Sequence, residues 1–566
     1  MPEAPQPLSV VESYRGRHIL LTGGSGFLGK VYLGMLLEHV PEVGRIYVFM
    51  RPGAVSSGQA RFENMLNTSE AFRPLHRKFG AGLSRYLADR VEVVEGELSE
   101  PGLGLSAGQL QRLRTKLDLV IHCAGLVDFA PDLGKGLASN VTATLQIADF
   151  VQSCERATLL HISTCFVAGC QSGFVPEVLK PNYCPVDQPF DAEAEYQQAQ
   201  QVVRQVVAEF APGGSGHREL QEALVEEQAR HPTWGDAAKQ GWLRKQVRER
   251  TRSVLVDEGK RRAKALGFPN VYTYTKSLAE SLLQRRRGQL RFAVLRPSIV
   301  ESARHYPFPG WNESFNGSAP LAYVMGGWFR MVPARPQNAF DVIPVDEVSK
   351  AMALCGAALI SGCAREVYHI GTSDKFPCPV GRSAELIALA HRKYHRGRER
   401  SQVERIVKSR WDAVLVSQDH LLGVDGLDGG LRATRHVLDL LPPWWRPKLE
   451  GFETRLDDFE DRLADIRKLV ELYMPFMHDH GYIFESRAID HHPAQEPEFG
   501  FLQEPMDWRH YWVDVHVPGL RRYAFPLIEG RRPPRYRAAH RVRLAATLPA
   551  DTGRARRRRS TDLREH

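Results

Sequence analysis

The chain has 566 residues, 43% hydrophobic and 25% charged, which excludes a disordered polymer and leaves room for at least two domains. Its formal charge of +9 suits an anionic ligand, nucleic acid or a membrane surface without choosing among them, and no nucleic-acid-reading motif accompanies it. Eight cysteines without a Cys-x-x-Cys pair exclude a zinc ribbon or a dense disulfide framework, and no metal is expected. Residues 1–10 carry no secretory signal and no apolar run is long enough to span a bilayer, so the expectation is a soluble, cytoplasmic protein with peripheral membrane contact left open.

In chain order, the run His18–Thr22 leads into Gly23-Gly24-Ser25-Gly26-Phe27-Leu28-Gly29, after which apolar residues recur at helical spacing until Pro41. Strand, tight glycine turn and helix together form a dinucleotide signal. The glycines allow the sharp turn and the approach of a pyrophosphate, and the helix start offers unpaired N–H groups. Thr22, Gly23, Ser25, Gly26, Phe27, Leu28 and Gly29 are therefore candidate cofactor ligands. A second strand, Arg45–Met50, ends at Arg51. In this architecture an acid there receives an NAD ribose, whereas an arginine suits the 2'-phosphate of NADP, so Arg51 argues for NADPH against the plainer reading of a solvated arginine.

Further strands are expected at Val91–Val94, Leu117–His122 and Thr158–Ile162. Alternation of strands with helices predicts an α/β fold with a Rossmann-type, doubly wound parallel sheet, its ligands at the carboxyl ends of the strands. Those ends carry Glu97 and Leu98, then His122 and Ala124, then Ser163 and Thr164. Glu97, Leu98 and Ala124 are candidates to line the adenine and ribose, although Glu97 and His122 serve equally well as ordinary loop groups. Thr164 is a hydroxyl able to bond a substrate carbonyl oxygen, with Ser163 its rival. Asn140 opens an expected helix, where an N-cap role competes with an active-site one.

A helical insertion is expected over about 185–265, with Arg261 and Arg262 inside a basic stretch that reads as a solvated face or as a contact for a phosphate-bearing substrate. Next comes Val271-Tyr272-Thr273-Tyr274-Thr275-Lys276. On a helix Tyr272 and Lys276 share a face, one turn apart. An ammonium beside a phenol favours the phenolate, so this spacing suits a proton donor and the cation that tunes it. By itself such a pair is more often one packed ring and one solvated amine. Pro297 and Ser298 follow the strand Arg291–Arg296 and are placed to wall the nicotinamide. Trp311, Phe315, Tyr323, Trp328 and Phe329 suit either a core or an apolar channel. Asp341–Asp346 and Glu366–Gly371 read as peripheral strands.

From about Ser383 the pattern turns helical, with basic stretches at His391–Arg400 and Arg405–Arg410. In Arg462–Met477 the apolar residues fall three and four apart, as in an amphipathic helix. Arg532 onward, with Arg554 and Arg556–Arg559, is expected to be a loose basic tail.

Thr22–Gly29, Ser163-Thr164, Tyr272-x-x-x-Lys276, Leu295–Glu301 and Asp341–Asp346, in this order, resemble the extended short-chain dehydrogenases and specifically the fatty acyl-CoA reductases. Leu469–Phe476, Met506–Tyr511 and Gly519–Tyr523 resemble that family's helical C-terminal domain, so the likeness spans about 14–530. It implies a reductase domain over 14–382, a helical domain over 383–530 and a tail over 531–566. It also implies NADPH-dependent reduction of a long-chain acyl-CoA, with Tyr272, Lys276 and Thr164 on catalytic positions. The long insertion and Trp311-Asn312-Glu313 are most similar to bacterial members that continue past the aldehyde to the primary alcohol. Glu97, where the family usually has Asp, and Gly24-Ser25, where Ala-Thr or Thr-Thr is commoner, are departures that lose no needed chemical group. Competing expectations are a reductase that stops at aldehyde, a sugar-nucleotide epimerase or dehydratase using the same Tyr-Lys couple, and a nucleotide sensor without catalysis.

Overall fold

Seven runs of aliphatic and β-branched residues are buried on both faces in the computed structural model, as a parallel sheet covered by helices requires. The structure describes residues 7–53, 55–313, 317–327, 331–396, 414–416, 424–439 and 446–544. Its strands are β1 (His18–Thr22), β2 (Arg45–Met50), β3 (Val91–Glu95), β4 (Leu119–His122), β5 (Thr158–Ile162), β6 (Gly173–Val175), β7 (Phe292–Pro297), β8 (Ile299–Glu301), β9 (Met331–Pro333), β10 (Val342–Pro344), β11 (Val367–Ile370), β12 (Val414–Val416) and β13 (Tyr482–Phe484). The main sheet runs β11-β7-β5-β4-β1-β2-β3, parallel throughout. Strand order reverses beside β1, and the crevice beyond the carboxyl ends of β1 and β4 is where such sheets bind ligands. Three parallel ribbons, β8 with β10, β9 with β12 and β6 with β13, stand outside this sheet.

The insertion consists of three helices, Ala192–Phe210, Ser215–Arg230 and Asp236–Ala265. It docks on the helix Val271–Arg285 through Tyr196, Ala199, Ala263 and Tyr274. Arg262 is enclosed between Glu195, at 2.8 Å, and Glu258, at 2.9 Å. Arg261 bonds Glu258 at 2.7 Å. Both guanidiniums are engaged by acids of the insertion, and neither arginine is among the residues that line the cavity described below.

The C-terminal half is mostly helical. Tyr473, Met477, Trp512 and Leu520 share one continuous apolar core with Leu36 and Met352 of the sheet-covering layers. The loose tail expected from Arg532 onward is corrected over its first part. Asn67 and Val542 exchange hydrogen bonds of 2.8 and 3.0 Å, Leu544 N bonds Glu63 at 2.9 Å, and Val542 is buried. Residues 545–566, which hold the arginine cluster, lie outside the described residues, as do Phe315, Trp328, Phe329, 397–400 and Arg405–Arg410. Trp311 takes the core alternative, stacking on Phe27 at 5.1 Å. No helix among the described residues is long and apolar enough to cross a membrane.

Candidate active site

A cavity of about 690 Å³ opens along the carboxyl ends of β1, β4, β5 and β7. Gly23, Ser25, Gly26, Phe27, Leu28 and Gly29 line one end of it, with Arg51, Leu98 and Ala124 alongside. Thr164, Tyr272, Lys276, Pro297 and Ser298 line it as well. The glycine turn fits a dinucleotide. Gly23 has φ +72°, and a Cβ on Gly29 would lie 2.2 Å from the Gly23 carbonyl oxygen, so any side chain there would fill the cradle.

Three candidates do not reach the cavity wall, and each has a structural task. Thr22 is buried beneath the turn, bonding His122 Nδ1 at 2.9 Å and accepting from the Ala124 amide at 3.2 Å. His122 also bonds Thr144, and burial pushes its imidazole down to about 3, so it stays neutral. Glu97 turns onto the Ser99 hydroxyl at 3.2 Å and faces Arg51 at 3.7 Å. Asn140 caps no helix: it sits inside a π-helical stretch, Leu137–Thr142, well after the helix start at Leu133. Its side chain clamps Leu126, accepting from the amide at 2.8 Å, and donates to Thr275 at 2.9 Å.

The helix Val271–Arg285 starts at Asn270, whose side chain accepts from the Thr273 amide at 2.9 Å. That cap sets Tyr272 in the first turn and Lys276 in the second. Lys276 is 4% exposed and donates to the Ile162 carbonyl at 2.8 Å. One turn further, Glu280 takes the buried Arg296 guanidinium at 3.1 Å and ties the helix to β7. Thr164 holds a short turn by accepting from the Phe166 amide at 3.3 Å and donates to the Pro297 carbonyl at 3.4 Å, and it lines the cavity together with Tyr272. Burial pushes the Tyr272 phenol well above its ordinary range, opposed by the Thr164 hydroxyl nearby. Burial also pulls the Lys276 ammonium down to about 8, against Cys123 and Glu280. The expected lowering of the phenol by Lys276 therefore does not hold, because desolvation exceeds every opposing contact.

Ser163 and Ser298 also face the cavity, and their buried hydroxyls have no hydrogen-bond partner among the described residues. Water or a bound ligand can supply their partners. Several wall residues lay outside the sequence reading. Arg61 stands beside Arg51, donating to its carbonyl oxygen, and its Nε is buried without a partner among the described residues. Phe129, Phe166, Tyr473 and Phe476 form an apolar wall. Helical periodicity placed Tyr473 on a buried face, but no sequence signal says which cavity that face meets.

A Rossmann sheet with a glycine cradle and a Tyr–Lys–Thr cluster at its carboxyl edge defines a nicotinamide-dependent oxidoreductase. The sequence model of the NAD-binding family described as Male sterility protein matches residues 21–352, and the chain belongs to that family. It is 26% identical to Probable fatty acyl-CoA reductase 4 of Arabidopsis thaliana, across 91% of this chain and 98% of that one. Alcohol-forming fatty acyl-CoA reductase of Simmondsia chinensis is 23% identical, across 90% and 98%. Among solved structures, the reductase domain of a non-ribosomal peptide synthetase from Mycobacterium tuberculosis aligns with a TM-score of 0.50 at 16% identity, across 93% and 94%, a likeness of fold.

Proposed function

We propose that this protein reduces long-chain fatty acyl-CoA to the primary alcohol with NADPH, through an enzyme-held aldehyde and with release of CoA. The observation that carries the reading is the meeting of Thr164, Tyr272 and Lys276 on the wall of one cavity that is also lined by the glycine turn and by the rings of Phe129, Phe166 and Phe476. The names of the relatives support the substrate class. In this reading 14–382 carries the chemistry and 383–530 helps to enclose it.

Gly23, Ser25, Gly26, Gly29, Ser298 and Lys276 would hold the cofactor, and Arg51 with Arg61 would meet a 2'-phosphate, which favours NADPH over NADH. A reduced nicotinamide supplies hydride when bound. Thr164 and Tyr272 donate hydrogen bonds to the thioester carbonyl oxygen as negative charge grows there, and Tyr272 passes its proton to that oxygen. Burial keeps the phenol protonated until that charge appears. Lys276, fixed by the Ile162 carbonyl, stands ready to stabilise the resulting phenolate. The hemithioacetal then collapses to CoA and aldehyde, its hydroxyl proton returning to Tyr272, and once a second NADPH has replaced the oxidised cofactor the aldehyde oxygen would take the same two hydroxyls for a second reduction.

The test is stoichiometric. Purified protein is given hexadecanoyl-CoA and NADPH, and cofactor oxidised is counted against CoA released. Two equivalents with hexadecanol as product are expected. One equivalent with free aldehyde would replace this reading with reduction that stops halfway.

A further inference from the structure

We infer that Phe476 is a specificity-determining residue of the acyl site, its ring setting the cross-section open to the chain beside the reacting carbonyl. The inference rests on the acyl-reductase reading above and goes beyond it, because it assigns substrate selection to a segment outside the matched family region. That region ends at residue 352, whereas the cavity wall is completed by Tyr473 and Phe476.

The placement of Phe476 has a local cause. The long helix Arg446–Met474 meets Pro475, which cannot donate to the helical ladder, and the chain continues as a π-helical turn, Pro475–Asp479. The wider turn points Phe476 at the cavity and sends Met477 into the core. Phe476 stands edge-on to Phe166, centroids 4.9 Å apart at 80°, and lies 5.9 Å from Phe129. Both neighbours belong to the catalytic surroundings. Phe166 follows Thr164 by two residues and donates its amide to the Thr164 hydroxyl, while Phe129 lies 6.2 Å from the Tyr272 ring.

This wall is stiff. Phe166 is backed edge-on by Tyr482 at 5.5 Å and Phe484 at 5.3 Å, both on β13 of the outer ribbon. The Tyr473 hydroxyl bonds the Gly317 carbonyl and so holds a second lining segment in place. Edge-to-face rings packed this way resist the displacement that a wider substrate would demand. An apolar passage with fixed walls beside the catalytic hydroxyls admits a straight hydrocarbon and turns away one branched next to the thioester.

The experiment compares kcat/KM for hexadecanoyl-CoA and 2-methylhexadecanoyl-CoA in the full chain and in Phe476→Ala, Phe476→Leu and Phe476→Trp. A methyl group in an apolar pocket is worth roughly tenfold or more in discrimination. The preference for the straight chain should therefore fall about tenfold in Phe476→Ala, fall less in Phe476→Leu and rise in Phe476→Trp. KM for NADPH should move less than the preference does. Should Phe476→Ala not fold, the leucine and tryptophan variants, checked for a parental unfolding midpoint, carry the comparison. A preference that stays constant across the folded variants, in a protein that does reduce hexadecanoyl-CoA, overturns the role of Phe476 and leaves the acyl-reductase reading intact. A parent protein inert toward hexadecanoyl-CoA overturns both.

Discussion

Lys276 is the residue whose titration should be visible in the kinetics. Burial lowers its folded pKa from 10.5 to about 8. The ammonium is therefore present below about pH 8 and lost as pH rises through that value, and the folded protein releases this proton before the unfolded chain does. We expect kcat/KM of the free enzyme to fall on the alkaline side with an apparent pKa near 8. In Lys276→Arg that limb should move out of the measurable range at reduced activity. A limb that stays in place in Lys276→Arg would assign it to another group. At the same site Tyr272→Phe should lose roughly a hundredfold in kcat, the contribution of a positioned proton donor, while still binding NADPH. Tyr272, Lys276 and Thr164 were legible because motif order and spacing are local properties. Their protonation was not, because desolvation depends on every atom packed around the cavity.

Among the secondary elements, the insertion shows how a basic stretch divides into working and solvated charges. Arg262 bridges Glu195 and Glu258, and Glu195 also receives the Tyr274 hydroxyl at 2.5 Å, so this cluster fastens the insertion to the Tyr–Lys helix. Reversal in Arg262→Glu places a third carboxylate against two that are already enclosed. A loss of about 3 kcal/mol in urea unfolding is expected, the usual cost of breaking a buried pair. Arg261, whose side chain is 65% exposed, should tolerate Arg261→Glu within about 0.5 kcal/mol. Equal losses in the two variants would contradict this division. The sequence shows the charges and their helical spacing, but only the packing of three helices decides which guanidinium finds enclosed acids. The π-helical turn at Asn140 was illegible for a related reason, since one extra residue in a turn leaves no compositional mark, whereas Pro475 marks the turn at Phe476 but not the cavity that it meets.

At the scale of the whole molecule, the C-terminal half joins the sheet-bearing half through a buried polar cluster. Glu301, at the end of β8, accepts from the Ser318 amide at 2.5 Å and faces His516 at 3.5 Å. His516 also bonds Ser302 and Ser318, each at 2.8 Å. Burial raises the Glu301 carboxyl to about 8 and lowers the His516 imidazole to about 3, so at neutral pH this is a neutral pair rather than an ion pair. Between the ordinary carboxyl value of 4.5 and about 8 the unfolded chain ionises Glu301 while the fold does not, so the Glu301 contribution to stability drains away as pH rises through that window, whereas His516, neutral in the fold, works in the opposite direction below its ordinary 6.5. Glu301→Gln removes the effect. Its stability relative to the parent, read by urea unfolding, should climb from about pH 5 to about pH 8 by up to about 1.4 kcal/mol per pH unit. A difference that stays level across that range would place the titration elsewhere.

The amino-acid order alone determined the Rossmann architecture, and it marked the glycine turn, Tyr272, Lys276 and Thr164 as candidates that the fold brings to one cavity, because apolar periodicity and turn chemistry act over a few neighbouring residues. Tertiary structure alone decided that Asn140, Thr22 and Glu97 support the site from outside the cavity wall. It also decided that Arg61 joins Arg51, that residues 532–544 are strapped to Asn67 and Glu63, and that Phe476 closes the wall beside Tyr272. Each of these depends on which distant segments share one enclosed volume. Burial and charge are properties of that shared volume, and no single stretch of chain encodes them.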